Sequence, residues 1–170
     1  MEAARRVLEQ AAEAPAPASA LPSGFYDAFV LRGIRVEAAE PGRLLCRFTV
    51  PSRLLVGRFA SHNSLMWELK NSGGFLHGGA TASLIHLVAS AVFHIRTTAA
   101  ADPPSASSSP LEMNISYLDA AFPDEEIEIE AKVLRAGKAV GVALVDLKKK
   151  SGKLIAQARY SNYLAPSSKL

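Results

Sequence analysis

Cysteine occurs once, at Cys46, so neither an internal disulfide nor a cysteine-built metal site can hold this chain together. Charge is sparse as well: 21% of residues are charged, the net charge is +3, and the basic residues are scattered. A surplus that small and that dispersed makes no polyanion-binding surface, so no nucleic-acid partner is expected. The chain also lacks an uninterrupted apolar run. Its longest candidate, residues 78–95, is broken by Thr81, Ser83, His86, Ser90 and His94, so a buried helix is expected there and no membrane span. The alanine-rich N-terminus carries Glu2, Glu9 and Glu13 and has no continuous apolar core, which suits neither a secretory nor a transit signal. With 49% hydrophobic residues over 170 positions, what remains is an ordinary globular domain large enough to bury a core.

The stretch Gly78–Ile95 organises the rest. At 3.6 residues per turn it makes a helix of about five turns, apolar almost all the way round. Ala80, Ala82, Leu84, Ile85, Leu87, Val88, Val92 and Phe93 must be covered by something. In front of it stands Phe75-Leu76-His77-Gly78-Gly79, whose two glycines let backbone N–H groups approach a ligand at the positive end of the helix dipole.

Around that helix the chain reads as strands. Residues 2–13 suit a short amphipathic helix followed by an Ala/Pro linker, so residues 1–24 are expected to be peripheral. Ile34–Ala39 and Arg43–Val50 alternate as two strands joined across Glu40-Pro41-Gly42, and Pro51 ends the pair. Val56–Lys70 has no clean period. Thr97–Pro110 has the Ala, Ser, Asp and Pro content of a loop. Leu111–Leu118, Glu126–Arg135, Ala139–Lys149 and Lys153–Leu164 follow as strands, the middle two joined through Ala136-Gly137. The expectation is an α+β domain over residues 25–164, with five or six mostly antiparallel strands and one dominant helix.

Four segments carry a resemblance. Asn71–Ala82 (N-S-G-G-F-L-H-G-G-A-T-A), Asn114–Tyr117 (N-I-S-Y), Arg135–Lys138 (R-A-G-K) and Gly152–Gln157 (G-K-L-I-A-Q) occur in the order found in the hotdog-fold acyl-CoA thioesterases. The branch they resemble is that of thioesterase superfamily member 2 and its plant members. The resemblance runs from about Arg32 to Leu164, apart from Val56–Lys70. It implies a long helix wrapped by an antiparallel sheet, subunits paired into a homodimer or homotetramer with sites between them, and hydrolysis of acyl-CoA to a free fatty acid and CoA without metal or cofactor. Thioester hydrolysis needs a polarised carbonyl and an activated water, and an N–H at a helix start suits the first.

By the same resemblance Asn71 holds the thioester or its water, and the Gly78 N–H points at the thioester oxygen. Beside them, His77 and Gly79 order the entry turn and border substrate. Arg135, Gly137 and Lys138 match the turn that lies against the nucleotide end of CoA, where cations beside a glycine suit phosphates. Tyr117 and Tyr163 are candidates to line the groove.

Three departures stand out. His86 replaces the acidic residue that activates water in the family. On a helix it shares one stripe with Ser83, Ser90 and His94, and an imidazole can itself act as base near neutral pH. His86 and His94 are about 12 Å apart along such a helix, too far to share a metal. Pro110 stands where the branch has a serine, and Ser109 beside it is the candidate to take that role. Third, about fifteen residues, Val56–Lys70, are extra, as either a lid or a mistranslated stretch such as a retained intron.

The leading expectation is therefore an acyl-CoA thioesterase with Asn71, Gly78, His86 and Ser109 as its catalytic set. The rivals are a non-catalytic acyl-CoA-binding protein and a thioesterase for an aromatic acyl-CoA. Residues 165–170 end in Ser168-Lys169-Leu170, the tripeptide read as a peroxisomal address, which adds a peroxisomal import receptor to the expected partners, with the cytoplasm as the alternative location. Amplifying the transcript across codons 50–75 tests the extra segment: a lid requires the mRNA to retain it, and a message that skips it removes the lid.

Overall fold

The computed structural model describes residues 24–56, 74–95 and 108–164. The amphipathic N-terminal segment, Asn71, most of Val56–Lys70 and the terminal tripeptide lie outside them. A short helix α1 (Phe25–Leu31) leads into β1 (Arg35–Glu40) and β2 (Arg43–Thr49), with a 3-10 turn at Ser52–Leu54. Helix α2 (Gly78–Val92) follows, then β3 (Ser108–Tyr117), β4 (Glu126–Ala136), β5 (Val140–Lys149) and β6 (Leu154–Leu164). The strands form one six-stranded sheet in the order β1-β2-β4-β5-β6-β3, every neighbouring pair antiparallel. This is the expected α+β class at the upper end of the expected strand number.

The alternation in sequence decides which face meets the helix. Leu44, Cys46 and Phe48 on β2, Ile127, Ile129 and Ala131 on β4, Ala143, Val145 and Leu147 on β5, and Ala156 and Ala158 on β6 are all buried. They join Leu84, Ile85, Val88, Ala89 and Val92 of α2 in one core. At Gly141 the lack of a side chain is required, since a Cβ there would stand 2.5 Å from the Phe93 ring.

Two boundaries differ from expectation. Helix α2 stops at Val92 rather than Ile95, because His94 N–H and Ile95 N–H bond three residues back, to Ala91 and Val92 carbonyls, which tightens and ends the last turn. Strand β3 begins at Ser108, inside the segment expected to be loop, and runs through Pro110. A proline is tolerated because β3 is an edge strand with a bulge between Pro110 and Glu112. Helix α1 is not expected from the sequence; it packs on α2, with the Tyr26 hydroxyl bonded to the Ser83 hydroxyl. The backbone around Val56 and that around Phe75 lie side by side, since Leu55 bridges Leu76 and Val56 N–H bonds the Phe75 carbonyl at 2.9 Å.

The outer face is ionic. Glu130, only 7% exposed, has Arg43 at 2.8 Å, Lys132 at 2.9 Å and Lys148 at 3.6 Å. Burial pushes this carboxyl up, but the hydrogen bonds from Lys132 and Arg43 outweigh it and hold it below its ordinary 4.5. A carboxyl depressed on folding adds stability that is present above the unfolded value and is lost as pH falls through the folded one. The urea midpoint is therefore expected to fall less between pH 7 and pH 3 in Glu130→Gln than in the parent chain; equal losses would show that this cluster does not set the acid sensitivity.

Candidate functional site

The start of α2 is built by its neighbours. His77 N–H bonds the Leu54 carbonyl at 2.8 Å and Leu76 N–H the Ala121 carbonyl at 2.7 Å, so the entry turn is fixed to the body before the helix begins. His77 is the N-cap, extended at φ −62°, ψ 134°, and its Nδ1 accepts the Gly79 N–H at 2.9 Å. Thr81 N–H bonds the His77 carbonyl at 2.9 Å. With those amides engaged, the Gly78 N–H makes no hydrogen bond to any described residue and stands at the positive end of the helix.

A cleft of about 380 Å³ opens at this point, walled by Phe75, Leu76, Gly78, Thr81, Tyr117, Asp119, Ala120, Ala121 and Ile155. Most of that lining is apolar. Tyr117 reaches over from β3 and donates to the Gly78 carbonyl at 3.1 Å. At the rim, Asp119 lies 2.9 Å from Lys153 and 3.5 Å from Lys149. Its carboxyl is held below the ordinary value chiefly by the Lys153 hydrogen bond, then by the Ala120 N–H. Lys149 also sits 5.4 Å from the centre of the Phe122 ring.

Two turns along α2, His86 is half-buried and its Nδ1 lies 2.9 Å from the Tyr160 hydroxyl, which is also 2.8 Å from the Ser90 hydroxyl. The expected stripe thus divides: Ser83 bonds the Gly79 carbonyl and Tyr26, whereas His86 and Ser90 converge on Tyr160. Eight residues at 1.5 Å each put His86 about 12 Å from Gly78 along the helix, so the fold does not set the two side by side.

The remaining candidates lie elsewhere. Arg135, Gly137 and Lys138 sit at the β4–β5 turn, closed by Gly137 N–H to the Val140 carbonyl at 2.9 Å. Ser109 is paired with Tyr163, and that register puts both on the face away from α2. The bulge absorbs Leu111, so the inward place opposite buried Asn162 goes to Pro110 and the expected shift of Ser109 into that place does not occur. Eight strand residues also separate Ser109 from Tyr117, about 26 Å. Tyr163, likewise outward, does not line the cleft.

Sequence reasoning missed Tyr160 and Asn162. Both are fully buried on the helix-facing side of β6, and neither Asn162 side-chain polar atom has a partner among the described residues. Their signal was the alternation Ala156, Ala158, Tyr160, Asn162, which runs in phase with the core and carries polar atoms into it.

The thioesterase superfamily profile matches residues 73–156, a span that takes in the cleft, α2 and most of the sheet. Acyl-coenzyme A thioesterase 13 from Homo sapiens and from Mus musculus are each 34% identical to this chain over 136 residues, covering 79% of it and 82% of the relative. Among solved structures, thioesterase superfamily member 2 of zebra fish superposes with a TM-score of 0.64 at 30% identity, over 86% of this chain and 90% of that one. The Mus musculus protein of that name gives 0.64 at 31%, over 84% and 90%.

The cap geometry makes a direct prediction. His77→Ala leaves the Gly79 N–H without its acceptor and is expected to lower stability by about 1 kcal/mol, read from urea unfolding; an unchanged midpoint would mean the cap contributes nothing.

Proposed function

Because the chain belongs to the thioesterase superfamily and is a thioester hydrolase of hotdog fold, we propose that it hydrolyses fatty acyl-CoA to a free fatty acid and CoA at a site shared by two copies. The observation that carries this reading is Gly78, which lines an apolar cleft at the positive end of α2 with an N–H that bonds to no described residue. Such an amide is placed to bind the oxygen that becomes negative when a thioester carbonyl is attacked.

The chemistry proceeds in two steps. Water attacks the carbonyl carbon, its proton passes to His86 Nε2, and the carbonyl electron pair moves to the oxygen facing Gly78. The tetrahedral intermediate then collapses, the C–S bond breaks, and the thiolate takes the proton back from His86 to leave as CoA thiol. Asn71, with its side-chain amide, orients the thioester or the water.

The separation of His86 and Gly78 by about 12 Å along α2 suits a site in which the two come from different copies. Edge strand β3 supports that arrangement. It has no neighbour on its outer side among the described residues, and Leu111, Met113 and Tyr117 on it and Leu118 just after it are exposed. Antiparallel pairing of two such edges would double the sheet and carry the cleft of one copy toward the middle of the other's helix. Arg135 and Lys138 are the cations assigned to the CoA phosphates. A chain ending in Ser168-Lys169-Leu170 is assigned to the peroxisome through its import receptor.

Purified protein assayed for free thiol over medium-chain, long-chain and aromatic acyl-CoA substrates tests the reading. Turnover by the parent chain and a loss of about 10² to 10⁴ in kcat on His86→Ala are expected. Activity that appears only in His86→Asp would make the natural protein an acyl-CoA binder instead.

A further inference from the structure

We propose that Tyr160 is the positioning residue for His86, holding the imidazole in the tautomer with hydrogen on Nδ1 so that the Nε2 lone pair is open. This rests on His86 being the base.

Among the fully buried side chains that β2, β4, β5 and β6 direct toward α2, only Cys46, Tyr160 and Asn162 carry polar atoms, and no charged group is among them. The core therefore offers His86 one hydroxyl partner from the sheet. That hydroxyl spans one helical turn, meeting His86 Nδ1 at 2.9 Å and Ser90 Oγ at 2.8 Å, while the two rings stand 5.6 Å apart at 55°. His86 Nε2 makes no hydrogen bond to any described residue.

A phenol has a single hydrogen and cannot donate to both neighbours. Donated to His86 Nδ1, it would leave the imidazole hydrogen on Nε2 and remove the lone pair that a base needs. Donated to Ser90, it leaves the phenol oxygen free to accept Nδ1–H. Only this second arrangement survives the reaction unchanged: when Nε2 takes the proton from water, the resulting imidazolium keeps the same Nδ1–H bond and Tyr160 does not turn. A hydrogen bond already made to the charged form costs no reorganisation at the moment of transfer. Burial raises the Tyr160 pKa, which keeps the phenol neutral throughout.

The test is Tyr160→Phe, which keeps the ring and deletes the hydroxyl. The parent chain, labelled with 15N at histidine, is expected to give the Nδ1–H pattern for the neutral His86 ring, and the variant to revert toward Nε2–H. In the thiol-release assay the variant should lose about tenfold in kcat with little change in KM. A parent spectrum dominated by Nε2–H overturns the proposal whatever the activity. So does a variant that matches the parent in both spectrum and kcat while His86→Ala is inactive. Full activity in His86→Ala instead sinks the base reading, and with it the positioning role, while the parent spectrum still shows whether Tyr160 sets the tautomer.

Discussion

Helix α2 lies against a sheet face on which small side chains alternate with large ones. Ala131, Ala143, Ala156, Ala158 and Gly141 sit at buried positions facing the core. Larger residues there would lift the helix away, and the Phe93 ring already takes the space a Cβ at Gly141 would need. In return Leu84, Ile85, Val88 and Val92 are removed almost wholly from water, each worth about 1.5–3 kcal/mol. The position of the helix fixes the site: its first turn reaches the cleft beside Tyr117, and its middle reaches Tyr160.

The two faces of the sheet divide the work. The fully buried side chains of one are apolar except for Cys46, Tyr160 and Asn162, and it receives the helix. The other carries the ionic pairs, with Glu130 held by three cations and Arg47 3.1 Å from Glu126. Each strand can serve both faces because its side chains alternate. A polar group on the wrong face is costly unless bonded, which makes the Tyr160 hydroxyl, bonded to two residues of α2, the exception with an evident use.

In the proposed reaction His86 stands where the family resemblance implies an acid, and this changes what its surroundings must supply. A carboxylate accepts protons through either oxygen and needs no tautomer, whereas a neutral imidazole is a base at one nitrogen only. A histidine base, as proposed, thus makes the partner at Nδ1 matter.

The strands, the turns at Gly42 and Gly137 and the long helix were legible in the sequence, because apolar periods of 2 and 3.6 depend only on which residues seek the core. The glycine-rich entry to the helix was legible too, as was its family resemblance, since both are local runs of residues. Strand order, the bulge at Leu111 that turns Ser109 outward, and the meeting of His86, Ser90 and Tyr160 were not. Each depends on pairing between segments far apart in the chain, or on a one-residue change of register. The residues present set which chemistry is available, and the packing of α2 on β6 alone decides which of them touch.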